Sequence, residues 1–336
     1  MTTSGCKPHR CGVVLAGGDG KRLRPFVSRL LGFELPKQYV SFTGNRSMLE
    51  HTFDRAEQLI SPECLYTVVA QDHIRHPEVR SQLSARIPHT VVVQPINRET
   101  GPGLLLPLTH LLLRYPNSTV AVFPSDHFIL QEDLFAAYVQ QAFEEVERYP
   151  SKIVFLGVEP TEAEPEYGYI LPENQYLDSE SPVKRVKAFI EKPDLLRAAQ
   201  AISLGALWNT MAMVFKPEVF LQLVSLSAPK LHRSFQKIFR VLNTSGESSA
   251  VEAIYRGMQP VNLSKDLFES FDIYSRNQLF ALSMKDLLWS DWGSEQRILC
   301  AVNSLKYMDS LPNGFPLEEF RNQYAGILSG GFEAIP

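Results

Sequence analysis

The feature that most limits what this chain can fold into is an alternation. Short apolar runs, VVL at 13–15, YTVVA at 66–70, VVV at 91–93, VAVF at 120–123 and IVFLG at 153–157, are separated by segments with apolar residues at helical spacing, at 49–60, 104–114 and 134–148. The runs are β-branched and brief, as strands buried on both faces are, and the intervening pattern is that of amphipathic helices. Parallel neighbours need a crossover, and the crossover is usually a helix. The alternation therefore predicts an α/β fold with a Rossmann-like, doubly wound, mainly parallel sheet. Ligands of such sheets bind at the carboxyl ends of the strands, so the residues just after each run are the ones to inspect.

Beyond residue 160 the pattern loosens into a Pro-, Glu- and Ser-rich stretch. It holds a hairpin with a strand at 183–190, then a helix at 194–204 and a strand at 210–215. Residues 217–285 read as mostly helical. The expected organisation is one unit over 11–300, with an inserted mixed region and a helical C-terminal part, followed by a short helical tail at 301–336.

The chain's 336 residues, 44% hydrophobic, are enough for a sizeable soluble core. A net charge of −4 leaves no basic footprint for nucleic acid. No apolar run nears the roughly 18 residues of a membrane helix, and the polar start lacks a signal-peptide centre. A cytoplasmic location without membrane contact is expected. Cys6, Cys11, Cys64 and Cys300 are scattered, and Cys6, His9 and Cys11 have no second half-site for a metal, so free thiols are expected.

The first strand runs into LAGGDGKRLRP, residues 15–25, where glycines let backbone N–H groups approach an anion and cations neutralise it. It is neither the Gly-Lys-Ser/Thr P-loop nor the G-x-G-x-x-G dinucleotide pattern. Lys37, in PKQY, can bring a further cation to the same strand end. The fourth strand ends in FPSDH, with Asp126 at the sheet mouth, and the later LLWSDWGSEQ offers Asp291 between two tryptophans. Beside a phosphate loop, two carboxylates suit Mg²⁺, which takes one or two carboxylates plus substrate phosphates.

LAGGDGKRLRP, PKQY, VVQPINRETGPG, FPSDH, EYGYI, FIEKP, LWNT and WSDWG stand in one order between about residues 12 and 300. That order resembles the sugar-1-phosphate nucleotidyltransferases, and most of all the mannose-1-phosphate guanylyltransferases. The resemblance implies a nucleotidyltransferase (GT-A-like) fold and a reaction that condenses a hexose 1-phosphate with GTP to a nucleotide sugar and pyrophosphate. It implies that Leu15, Ala16, Gly17, Gly18, Gly20, Lys21 and Ser125 surround the nucleotide, with Arg22 and Lys37 on its phosphates. Gln94, Asn97, Arg98 and Thr100 would lie at base and ribose. Tyr167, Gly168, Glu191 and Asn209 would surround the sugar, Lys192 would pair with the sugar phosphate, and Asp126 and Asp291 would hold Mg²⁺. The implied partners are small-molecule substrates, with a homodimer left open.

The chain departs from the family's pattern at Lys21, at Glu99, at the methionines after Asn209 and in a longer spacer between Pro25 and Pro36. Glu99 and the methionines bear on which nucleotide and sugar are used. The competing readings are a thymidylyl- or uridylyltransferase acting on glucose 1-phosphate, and a non-catalytic protein that binds a sugar nucleotide. Individual residues have structural readings too. Arg24 can be a surface cation, Tyr167 and Tyr169 can pack a hairpin, Trp289 and Trp292 can fix the Asp291 loop, and His127 can donate to a backbone carbonyl.

Overall fold

The computed structural model describes residues 10–174, 181–270 and 275–304. Cys6, His9 and the expected tail beyond residue 304 lie outside them. The strands are β1 (Arg10–Ala16), β2 (Leu65–Ala70), β3 (Val91–Gln94), β4 (Thr119–Pro124), β5 (Phe128–Ile129), β6 (Ile153–Val158), β7 (Gly168–Pro172), β8 (Val183–Glu191), β9 (Leu207–Phe215), β10 (Leu279–Met284) and β11 (Trp289–Ser290). The helices are α1 (Arg24–Leu31), α2 (Met48–Glu57), α3 (Pro77–Leu83), α4 (Thr100–Arg114), α5 (Glu132–Arg148), α6 (Leu195–Ser203), α7 (Pro217–Ser227), α8 (Pro229–Val241), α9 (Glu247–Gly257) and α10 (Glu295–Ser304).

One nine-stranded sheet in the order β3-β2-β1-β4-β9-β6-β10-β8-β7 organises the molecule. Its first four strands are parallel, β2 and β4 flanking β1 and β3 flanking β2. Every residue of β2 and β6 is buried, as continuous apolar runs in a covered sheet must be. α2 and α5 pack together over β1, β4 and β6, while α4, backed by α8, covers β1, β2 and β3. This is the doubly wound frame that the alternation implies.

The second half of the sheet is more mixed than the first. β9 lies antiparallel between β4 and β6, and β7 and β8 form the expected hairpin. β9 also changes partners along its length, pairing β4 at Met213–Phe215 and β7 at Leu207–Trp208. Its register against β6 shifts between Phe155 and Gly157. The extra residues of this bulge redirect side chains, and Asn209 and Met211 lie there.

One expectation is corrected. Residues 279–284, read within a helical stretch, form β10, parallel to β6. LFALSM is short and apolar, and periodicity cannot separate such a run from a buried helical turn; only the partner strand decides. α10 runs through residue 300, where the sequence reading began a tail. Cys11 and Cys64 are free and buried. Among the described residues no helix is long and apolar enough to cross a membrane.

Candidate active site

At the carboxyl ends of the parallel strands lies a cavity of about 430 Å³. Leu15, Gly17, Gly18, Gly20, Lys21, Arg22, Lys37, Gln94, Asn97, Thr100 and Asp126 line it, so these expected residues come together. Asp19, Glu99, Gly103 and Gly293 also face it. Gly20 turns the loop in the left-handed region, φ 58°, where a side chain would be strained. An added Cβ there would also come within 3.2 Å of the Lys37 backbone nitrogen.

The loop is braced from below. Gln38 Nε2 donates to the carbonyls of Ala16 (2.9 Å) and Gly18 (2.8 Å), and the Tyr39 hydroxyl donates to Ala16 O (3.0 Å). Ala16, expected at the nucleotide, is therefore a buried anchor rather than part of the lining. PKQY carries two bracing residues beside Lys37, roles that the motif alone did not reveal. Ser125 also braces the loop: its Oγ donates to Leu15 O at 2.7 Å and ties β4 to it. Arg98 is a second correction. Its guanidinium donates to the carbonyls of Tyr255 (3.0 Å) and Arg256 (3.1 Å) in the last turn of α9. It is not among the lining residues.

Two minute strands bring the aspartates together. β5 and β11 pair antiparallel, Ser290 opposite Phe128 and Trp289 opposite Ile129. Asp126 precedes β5 and Asp291 follows β11, so both leave the ribbon at the same end. They meet at Lys37, whose ammonium is 3.1 Å from Asp126 Oδ2 and donates to the backbone carbonyl of Asp291. Burial pushes the Asp126 carboxyl up, but Lys37 and then His127 outweigh it, and the group stays below its usual range. The Asp291 carboxylate accepts from Gly293 N at 2.8 Å and faces Arg297 Nε at 3.4 Å and Arg22 Nη2 at 3.8 Å.

The aromatic residues mainly pack. Trp292 stacks on Phe128, centroids 4.6 Å apart, and meets Phe42 edge-on. Trp289 donates its indole N–H to His127 Nδ1 at 3.3 Å. This assigns the imidazole proton to Nε2, 3.7 Å from Asp126 Oδ1. His127 is thus structural, but it accepts from a side chain where donation to a backbone carbonyl was expected. Burial first, and Lys37 next, lower its pKa to about 4 against the pull of Asp126 and Asp291. Tyr167 is buried between Trp208 and Trp289. Arg24 lies 3.9 Å from Glu34 at the surface.

The expected sugar residues form a neighbouring cluster. A Cβ on Gly168 would fall 2.8 Å from Glu191 Oε2 and 3.5 Å from Asn209 Cβ, so the three meet closely where the glycine leaves room for the Glu191 carboxylate. Asn209 Oδ1 accepts from Met211 N at 2.9 Å. Burial, reinforced by Glu269 against Lys192, raises the Glu191 carboxyl. Glu191 and Lys192 line a second cavity of about 470 Å³, and Glu99 lines both cavities.

The sequence matches the family model described as nucleotidyl transferase over residues 11–306. A mannose-1-phosphate guanylyltransferase of Escherichia coli is 26% identical over 299 residues, which are 84% of this chain and 59% of that protein. The alginate biosynthesis protein AlgA of Pseudomonas fluorescens is 30% identical over 66% of this chain and 44% of its own length. The chain thus spans about three-fifths or less of these curated relatives. A crystal structure described as a mannose-1-phosphate geranyltransferase from Thermus thermophilus shares the fold, with a TM-score of 0.68 at 22% identity, over 86% of this chain and 79% of that one.

Proposed function

This chain belongs to the nucleotidyl transferase family, and we propose that it condenses mannose 1-phosphate with GTP, giving GDP-mannose and pyrophosphate. One observation carries this reading. A single cavity at the strand carboxyl ends joins the glycine loop, Arg22, Lys37 and Asp126 to the amides of Gln94 and Asn97. The names of the relatives that match most of this chain support the sugar and the nucleotide. The acceptors in the cavity support guanine. Gln94 Oε1 is buried without a partner, and the Glu99 carboxylate lines the same space. Guanine presents two adjacent N–H donors on its pairing edge, N1–H and the 2-amino group, and a base with one donor group there would leave one of two such acceptors unpaired.

In the reaction, a phosphate oxygen of the sugar 1-phosphate bonds to the α-phosphorus as the α–β phosphoanhydride bond breaks and pyrophosphate leaves. The nucleophile is already an anion near neutral pH, so no general base is needed. The task is to hold two polyanions in line and stabilise charge moving to the leaving group. Arg22, Lys37 and the loop N–H groups would hold the triphosphate; Glu191 and Asn209 would orient the sugar, with Lys192 on its phosphate. Asp126 and Asp291 present hard oxygen donors beside the phosphate loop, which fits Mg²⁺. That ion would supply charge neutralisation at the phosphates.

The test is the product mass after incubation with the four triphosphates, several hexose 1-phosphates and Mg²⁺. GDP-mannose is expected. UDP- or dTDP-glucose would move the assignment to another pair, and no product with any combination would overturn the enzymatic reading. Arg22→Ala is expected to keep the fold and lose roughly 10²- to 10³-fold in kcat. Near-normal turnover would remove Arg22 from the triphosphate.

A further inference from the structure

Arg297, on α10, is absent from the expected site residues, yet it gathers the charged loops at the mouth. Its Nη1 is 2.9 Å from Glu164 Oε2, its Nη2 donates to Glu166 Oε2 at 2.7 Å, and its Nε faces Asp291 Oδ1 at 3.4 Å. The guanidinium carbon lies 4.9 Å from the Tyr167 ring centroid. The side chain is only 17% exposed. Burial alone would lower its pKa, but Asp291, Tyr167, Glu164 and Glu166 outweigh burial and raise it. The Glu166 oxygen that Arg297 holds is also the one that holds Arg22, whose Nη1 donates to it at 2.8 Å.

We propose that Arg297 is a positioning residue that makes Arg22 available to the triphosphate: it keeps Glu166 paired, so Arg22 can leave that carboxylate without stranding it. The proposal rests on the reading above that Arg22 binds the triphosphate. The two contacts of Glu166 differ in strength for a physical reason. Arg22 and Glu166 are each about half exposed, and pairs of that kind are weak and screened. Arg297 is mostly buried among three carboxylates, and removing a partner from such a cluster is costly. An incoming polyanion therefore breaks the Arg22 contact and leaves the Arg297 contacts in place.

Backbone geometry supports the arrangement. A Cβ on Gly293 would lie 2.6 Å from Arg297 Nη2, 2.6 Å from Asp291 Oδ2 and 3.0 Å from Arg22 Nη2. Three charged side-chain ends thus converge on one point, and an added methyl group would displace them. Without Arg297, Glu166 would depend on Arg22 alone, and the triphosphate would have to compete with it.

The experiment is a double-mutant cycle on nucleotide binding in the full chain. GTP is titrated with Mg²⁺ and no sugar phosphate, with UTP and dTTP run alongside, against the wild type, Arg297→Met, Glu166→Gln and the double variant. Arg297→Met is expected to weaken binding roughly tenfold, within the range of coupled neighbours. Glu166→Gln is expected to cost nothing, and the double variant to recover the loss. A merely structural role for Arg297 would leave the double variant as weak as the single one. Should Arg297→Met not fold, Arg297→Lys, which lacks the three-pronged fork, carries the same cycle. Equal affinities in the wild type and the Arg297 variant, or no recovery in the double variant, would overturn the proposal. A wild type that binds none of the three triphosphates would instead sink the function proposed above.

Discussion

Glu99 and Met211 stand in backbone conformations that side chains seldom tolerate. Glu99 has φ 70° and ψ −175°, a region reserved almost entirely for glycine. Met211 has φ 58° in the bulge beside Asn209. Lys192 and Trp292, at φ 45° and 42°, complete a set of four around the candidate site, out of six such non-glycine residues among those described. Each costs about 1–3 kcal/mol and persists only where its surroundings over-determine it. The substitutions at 99 and 211 are visible in the sequence, but the strain they carry is not, because φ depends on the neighbours that hold them. Gly293 is the opposite case, a residue whose lack of a side chain leaves room for the charged ends of Asp291, Arg297 and Arg22. Gly293→Ala would push Asp291 and Arg297 aside, and a displacement of about 1 Å can cost on the order of 10²-fold in rate. The expected outcome is that loss in kcat/KM with little change in thermal midpoint. Unchanged kinetics would mean that the charged groups yield freely.

Elements differ in how openly they announce themselves. α2 is legible at both levels: its apolar spacing is clear, and Ser47 and Glu50 form a reciprocal cap. Ser47 Oγ accepts from Glu50 N at 3.2 Å, and Ser47 N donates to Glu50 Oε2 at 2.8 Å. Ser47 Oγ also donates to Gln82 Oε1 at 2.8 Å. Ser47→Ala removes both roles and is expected to lower the unfolding free energy by about 1–2 kcal/mol. Denaturant titration measures it, and a loss near zero would mean that water replaces the cap. The β5–β11 ribbon is illegible by contrast. Two strands of two residues have no periodicity, yet their register brings Asp126 and Asp291 to one ammonium. β9 is intermediate: its apolar end reads as a strand, while its switch from β4 to β7 does not.

At the scale of the molecule, packing sets how stability responds to acid. Burial holds the imidazoles of His73 and His110 below their usual 6.5, and that of His127 at about 4. These groups are depressed in the folded state, so below pH 6.5 the unfolded chain binds more protons than the fold. Their contribution is fully present above that value and is lost as the pH falls through the window, down to about 4 for His127. Glu191 opposes them, since its raised carboxyl favours the fold on acidification. Asp126, Glu132 and Glu166, held below their usual values, lose their contributions only in stronger acid. Three imidazoles against one carboxyl predict a lower urea midpoint at about pH 5.5 than at about pH 7.5. His110→Gln should flatten the slope. A midpoint that is constant over that interval would mean that the imidazoles protonate within the fold.

The sequence alone determined the strands β1 to β4 and β6, the helices α2, α4 and α5 and the strand ends where chemistry gathers, because hydrophobic period and glycine placement are local properties; it did not reveal α1 and α3. It also carried the motif order that identifies the family. Tertiary structure decided the rest. Arg98 and Ser125 bear the same side chains whether they touch a ligand or a carbonyl, and only the position of α9 and of β1 makes them braces. Residues 279–284 are a strand because β6 lies alongside. Arg297 has no local signature, since its three carboxylates come from Glu164, Glu166 and Asp291. Contacts between residues far apart in the chain depend on how the loops fold over the sheet, and no local pattern records that.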